Sequence, residues 1–272
     1  MKRIIINADD YGLTKGVSSG IIELYKKKKI SSCSVMANCE DREWHFKRLL
    51  RYGIPSGIHL NLSAGRPISP PDLVHTLVDD EGNFISAETL LIRERIGKID
   101  YDHIKLELKA QVMEMRKYIE PDHFDGHRHF YFFSQRMREI VFSLMSSLGI
   151  MRTRIPYEGK LFHDSSIYFI LRTAFLNKFS ELAYKSALAH GFRFPKYFRG
   201  QQYTGNWSKK RLLNIMRSSI DSTEIMIHPG YSDKKLRSIS SLNDCREKEL
   251  RLFLNAKYYQ DIMLSSFESL LD

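Results

Sequence analysis

Cysteine is scarce in this sequence. The three present, Cys33, Cys39 and Cys245, are an odd number, and no Cys-x-x-Cys spacing occurs. Both facts argue against a disulfide framework and against a thiolate zinc site. Long apolar runs are missing as well. No stretch reaches the roughly 18 residues that mark a membrane span. The N-terminal Met1-Lys2-Arg3 is followed by only three Ile before Asp9 and Asp10, which leaves no room for the apolar core of a signal peptide. A reduced, cytoplasmic compartment with no transmembrane segment is the expectation. Linkers rich in Pro, Gly or Ser, internal repeats and low-complexity tracts are also lacking, so residues 1–272 read as one domain.

Several familiar chemical motifs are absent too. The glycines Gly12, Gly16 and Gly20 match neither the dinucleotide-binding fingerprint nor a phosphate-binding loop with its Lys, and there is no His-Glu-x-x-His. Gly16-Val-Ser-Ser-Gly20 has the letters of a nucleophile elbow. That elbow needs a strand directly before the serine, whereas Ser18 falls at the start of a helical pattern.

What the sequence does hold is enough apolar material for a core. Of 272 residues, 43% are hydrophobic and 27% charged, so disorder by composition is ruled out. The net charge is +10, but runs such as Lys26–Lys29 and Lys209–Arg211 read as solvated helix faces, and no nucleic-acid partner is expected. Short β-branched runs recur at 3–10, 32–38, 57–62, 122–129, 149–155 and 224–229. Helical patterns lie between them at Val17–Lys29, Ile104–Ile119, Gln135–Leu148 and Ser208–Ile220. Strand–helix alternation predicts an α/β fold with a parallel sheet and crossover helices. The proline-bearing stretch Ser63–Phe84 predicts a long, partly irregular loop.

In parallel α/β folds the site lies at the carboxyl ends of the strands. Asp9, Asp10, His59, Asp125, His127, His129 and His228 all fall at such ends. Paired Asp before a helix commonly serves as a cap, but adjacent residues at a strand end point apart. One carboxylate can then ligate a metal while the other acts as base. His59 alternates with Asn61, so both project to one side. Asp125, His127 and His129 share a predicted strand face, and a carboxylate with two imidazoles suits Zn²⁺, whereas Mg²⁺ favours more oxygen ligands. His228, ahead of Pro229-Gly230, is a candidate general acid because its pKa is ordinarily near neutral.

Four motifs fall together here: Asn7-Ala-Asp-Asp-Tyr-Gly12, Gly57-Ile-His-Leu-Asn-Leu62, Asp125-Gly-His-Arg-His129 and Ile227-His-Pro-Gly230. In order and spacing the chain resembles the YdjC-like family, which includes chitooligosaccharide deacetylases of the ChbG type. Weaker likeness extends to Tyr197-Phe-Arg-Gly200 and Arg246-Glu-Lys-Glu249. The resemblance implies a variant (β/α) barrel of the polysaccharide deacetylase type that removes acetyl groups from N-acetylated sugars with one divalent ion, Mg²⁺ or Zn²⁺. Carried over by position, it implies Asp10, His59 and His127 as metal ligands, Asp9 as base and His228 as acid. Asn61, Asp125, His129, Arg154 and Tyr197 are the expected substrate-binding residues, with Tyr197, Phe198, Tyr203 and Trp207 offering flat rings to a sugar. Tyr11, where the family more often has Phe, and the basic Lys234–Arg237 are departures that bear on the acceptor.

Two other functions fit the same residues. One is a metallohydrolase of this fold acting on another amide or ester, including a lipid-linked substrate. The other is a non-catalytic sugar-binding or membrane-associated scaffold. Ser166–His190 carries an apolar stripe of Ile167, Ile170, Leu171, Ala174, Phe175, Leu182 and Ala183. The plain reading is a barrel helix packed on the core. Its length and aromatics also suggest a helical excursion around 160–200, serving as a homodimer interface or as a lid over a lipid-linked or anionic acceptor.

Overall fold

The computed structural model describes residues 2–159, 167–257 and 262–270. Among these, every strand pairing is parallel. The strands are β1 (Lys2–Tyr11), β2 (Ser32–Val35), β3 (Ser56–Leu60), β4 (Phe124–Gly126), β5 (Tyr197–Arg199), β6 (Thr223–Ile227) and β7 (Ile262–Leu264). Their order is β4-β3-β2-β1-β6-β5, with β7 pairing the first residues of β1. Parallel bridges from Phe124 to Thr153 and from Arg152 to Arg193 carry the curl past β4 toward the segment that enters β5. The result is the variant (β/α) barrel, its wall completed by short bridged segments.

The helices are α1 (Lys15–Lys26), α2 (Arg42–Tyr52), α3 (Ala87–Arg95), α4 (Tyr101–Arg116), α5 (Gln135–Ser147), α6 (Ile167–Ala189), α7 (Lys209–Ser218), α8 (Lys234–Ile239) and α9 (Asp244–Leu254). Several start where a side chain satisfies a free amide, as Thr14 does for Val17 and Ser134 for Met137.

Strand alternation divides the interior. Ile4, Ile6 and Ala8 of β1, Cys33 and Val35 of β2, Ile58 and Leu60 of β3, and Ile225 and Ile227 of β6 belong to one continuous apolar core. The intervening residues Asn7, Asp9, Ser34, His59, Asp125 and Glu224 are equally buried and are joined to one another through hydrogen bonds and ion pairs. Parallel strands are usually apolar on both faces. Here one face is polar from strand to strand.

Three expectations need correction. The predicted strand 122–129 stops at Gly126, and His127–Phe133 turns as a 3-10 segment with Arg128 and His129 at φ 54° and 55°. The left-handed backbone ends strand alternation, so His127 and His129 do not share a strand face. The predicted strand 149–155 makes only the two bridges. Helix α6 turns Thr173, Leu176, Ser180, Ala183 and Ala187 inward, so most of the expected apolar stripe faces outward; residues 160–166, where the predicted excursion begins, lie outside the described residues.

Gly57 shows how tightly this frame is packed. A Cβ there would fall 2.4 Å from three ring atoms of His123, and that ring stacks on Phe267 with centroids 3.6 Å apart. The ring has nowhere to retreat. Gly57→Ala is expected to destabilise by about 3 kcal/mol, seen as a lower urea midpoint with an unchanged slope.

Candidate active site and metal centre

Asp9 and Asp10 end the polar row of β1, and their carboxylates part company there. Asp10 takes φ 70°, a left-handed conformation that costs a non-glycine residue about 1–2 kcal/mol. Both are buried to 1% exposure. Asp10 Oδ1 lies 3.0 Å from His127 Nδ1 and 3.2 Å from His59 Nε2, while its Oδ2 accepts from Arg246 Nη2 at 2.5 Å. Burial pushes the Asp10 carboxyl up, but Arg246, His127 and His59 outweigh it and hold the group well below its usual range.

One donor atom from each of Asp10, His59 and His127 lies within 4.8 Å of the other two. His59 reaches this point because its other nitrogen, Nδ1, meets Asp125 Oδ1 at 2.6 Å. A carboxylate behind an imidazole fixes ring orientation and tautomer, as around metal-bound histidines. Burial draws His59 down, yet Asp125, Asp10 and Asp9 together raise it to about 10. That is the signature of an imidazole site crowded by anions. The donor set of one oxygen and two nitrogens, with open cleft in front, fits a divalent cation. Asp9, His59 and Asp125 form a second convergent trio, but Asp9 and Asp125 are already bound by a guanidinium.

That guanidinium is Arg154. Fully buried, it gives Nη1 and Nη2 to the two oxygens of Asp9 at 2.7 Å each, meets Asp125 Oδ2 at 2.9 Å, and donates from Nε to Glu224 at 2.7 Å. Burial and Asp125 raise the Asp9 carboxyl, but Arg154 and His59 together outweigh them, so Asp9 stays ionised. Glu224 is pushed by burial up to about 7 in spite of Arg154. His228 Nε2 stands 4.0 Å from Asp9 Oδ2. Burial brings the His228 ring down to about 4, so it is neutral at rest.

These groups open into a cleft of about 920 Å³ lined by Asp9, Asp10, His59, His127, His129 and His228, with Ser63–Arg66 at its rim. The expected irregular loop thus does border the site. Other expected residues sit elsewhere. Asn61 does not line the cleft; its side chain accepts from the amides of Ser63 and Ala64 and donates to Asn38, which folds the rim. Asp125 and Arg154 lie behind the cleft as supports. His129 lines the cleft, its Nε2 bonded to Gln201 Oε1 at 2.9 Å. Tyr197 is remote, at the amino end of β5 opposite Thr223. Phe198 and Tyr203 are core residues, and Trp207 borders a separate hollow of about 590 Å³ with Lys209, Lys248 and Arg251. The rings that do line the cleft are Phe133, Tyr168 and Phe169.

Sequence reasoning missed Arg246, Ser34, Glu224 and Glu249 as site residues. For Ser34 and Glu224 a signal existed: a polar side chain on the same alternating face as Asn7 and His59. For Arg246 and Glu249 the signals were the weaker likeness at Arg246-Glu-Lys-Glu249 and a spacing of three along α9, from which one side chain reaches Asp10 and the other the His228 amide. Glu249 Oε1 accepts the His228 amide at 2.8 Å, and among the described residues Oε2 makes no hydrogen bond.

Two outcomes follow from this geometry. Arg154→Met leaves Asp9, Asp125 and Glu224 buried without their cation and is expected to cost about 3–5 kcal/mol, measured by chemical denaturation. The second concerns pH. Burial pushes the Glu249 carboxyl up from 4.5 to about 8. Its neutral form is the one the fold favours, so its contribution is complete below about 4.5 and is lost as pH rises through about 8. Glu249→Gln keeps an acceptor for the His228 amide and cannot ionise. Its unfolding midpoint should decline less than the parent's across that interval; identical slopes would show that Glu249 is not the titrating group.

Comparison with known proteins agrees with the fold. Residues 3–262 match the family model described as YdjC-like protein. A carbohydrate deacetylase of Clostridium beijerinckii is 31% identical over 271 residues, covering 98% of this chain and 97% of the relative. One from Thermoanaerobacter pseudethanolicus is 30% identical over 266 residues, 96% and 94% of the two chains. A chitooligosaccharide deacetylase of Yersinia enterocolitica is 27% identical over 246 residues, 86% and 84%. A crystal structure of an Enterococcus faecalis protein superposes with a TM-score of 0.79 at 24% identity over 100% and 99% of the chains, a likeness of fold. With its family model spanning nearly the whole chain and its motif residues gathered in one cleft, the chain belongs to the YdjC-like family.

Proposed function

We propose that this protein hydrolyses the acetyl amide of an N-acetylated sugar with the help of one divalent ion held by Asp10, His59 and His127. The observation that carries the reading is the convergence of those three donors beside a separately held carboxylate, Asp9, and a buried imidazole, His228. The deacetylase names of the relatives at about 30% identity support the substrate class. A bound divalent ion would acidify water and polarise the acetyl carbonyl.

The remaining roles belong to the chain. Asp9 is the base that takes the proton of the attacking water. Arg154 grips both its oxygens and so aims the carboxylate while keeping it ionised. His228 delivers a proton to the departing amine, which otherwise cannot leave. Its ring is neutral at rest, and its Nε2 lies 4.0 Å from Asp9 Oδ2, so the proton gathered by the base has a short route to the acid. Arg246 spends its charge on Asp10 Oδ2 and leaves Oδ1 free to turn toward the imidazoles. Phe133, Tyr168 and Phe169 offer apolar faces to the sugar, in place of the rings expected from sequence.

Acetate release from a panel of acetylated mono- and oligosaccharides tests the activity. Asp9→Asn is expected to keep metal content and lower kcat at least about 100-fold, the scale of general base catalysis. His228→Ala should likewise keep its metal and slow turnover. His59→Ala should lose the metal, measured by elemental analysis. Stoichiometric metal loss in Asp9→Asn would reverse the assigned roles, and acetate release from simple esters alone would move the substrate class.

A further inference from the structure

Helix α6 is built inside out. Its 23 residues turn Thr173, Leu176, Ser180, Ala183 and Ala187 toward the protein, and most of these are small. Tyr168, Leu171, Phe175 and Leu182 are instead 64%, 61%, 53% and 51% exposed. A helix on a globular surface ordinarily does the reverse. The small inner face lets α6 seat closely against α5 and the turn His127–Phe133, so the fold makes little use of the bulky outer one. Contiguous exposed apolar side chains of this kind mark an interaction surface.

Charge decides what that surface meets. Leu171, Phe175, Lys178, Leu182 and Lys185 follow one another at helical spacing along the outer stripe, and Arg172 flanks it. Glu181 is the one acid among the described residues of the helix. A second copy packed about a two-fold axis would set this stripe against its own image, an equally cationic face with one acid on each side. An anionic lipid surface accepts both halves of the pattern, because leucine and phenylalanine enter the acyl boundary while lysine stems extend their ammonium groups to the headgroups. The chain's net charge of +10 acts in the same direction. No helix among the described residues is long and apolar enough to cross a membrane, so α6 would lie on the surface. Position gives a third observation. Tyr168, Phe169 and Arg172, at the start of α6, also line the cleft that holds Asp9 and Asp10.

We propose that α6 docks the protein on an anionic lipid bilayer through its exposed apolar stripe and lysines, with the mouth of the cleft turned toward the headgroups. The docking stands apart from the catalytic reading. That the cleft would then serve an acetylated sugar carried on a lipid rests on that reading.

The test uses the full chain with vesicles of phosphatidylcholine, with and without phosphatidylglycerol, read by co-sedimentation. Binding is expected to the anionic vesicles only and to weaken with salt, since surface charge is screened over about 8 Å at physiological ionic strength. The double variant Lys178→Gln/Lys185→Gln should bind about 30-fold more weakly, the ~2 kcal/mol that two near-surface cations contribute. Leu171→Ser/Leu182→Ser should also weaken binding at least about tenfold. Neither pair lines the cleft, so acetate release from soluble sugars should be unchanged in both. Parent protein that ignores anionic vesicles at low salt overturns the proposal, and so does binding that survives both double variants. A doubled mass in solution that reverts to monomer in Leu171→Ser/Leu182→Ser assigns the stripe to a second copy and overturns it equally. Failure of acetate release with vesicle binding intact would strike the catalytic reading alone.

Discussion

Asp9, Asp10, Asp125 and Glu224 lie buried together on the polar face of a parallel sheet, and two guanidiniums keep them there. Arg154 binds three of the four, and Arg246 binds the other. Removing ionised carboxylates from water costs several kcal/mol each unless they are paired and hydrogen bonded. The lumen of the barrel is therefore organised around neutralising them. Asn7 and Ser34 fill further lone pairs, at 2.8 Å to Asp9 and 2.7 Å to Asp125. The carboxylates still outnumber the guanidiniums. That imbalance raises the His59 imidazole to about 10 and makes the three-donor point beside it suited to a cation.

The same arrangement separates two neighbouring residues into different tasks. Asp9 and Asp10 are adjacent in the chain and equally buried, but the left-handed backbone at Asp10 swings its carboxylate out of the strand's alternation. Asp9 stays in the row and is gripped on both oxygens by Arg154. Asp10 gives one oxygen to Arg246 and the other to the imidazoles. Arg128 and His129 are also left-handed, directly after His127. Strain at both places is held by surrounding hydrogen bonds and sits beside the convergent donors Asp10, His59 and His127.

The cleft and α6 join this centre to the outside. The rim 63–66 is folded by Asn61, two residues past His59, so the strand that supplies a donor also shapes the entrance. On the far side, α6 contributes aromatic rings to the cleft and a row of exposed apolar and basic side chains to the surface. Cleft-lining and outward-facing residues thus occupy neighbouring positions on one helix.

Much of this was legible in the sequence because strand alternation is local. Ile-Ile-Ile-Asn-Ala-Asp-Asp, Gly-Ile-His-Leu-Asn and Glu-Ile-Met-Ile-His each show a period of two within a few residues, and that period places Asp9, His59 and His228 at strand ends on the lumen side. The α/β class and the main helices followed from the same kind of pattern. Left-handed residues at 128 and 129 were not legible, since neither is glycine, and so His129 was misplaced. Which cation satisfies which buried carboxylate was decided only in three dimensions: Arg154 lies 145 residues from Asp9 and Arg246 lies 236 from Asp10, and no local period links them. Helix α6 is the clearest division. Large apolar residues occur on every side of it, so its pattern does not single out a buried face. The close approach demanded by its neighbours selects Thr, Ser and Ala, and that steric choice is what leaves the large side chains outside.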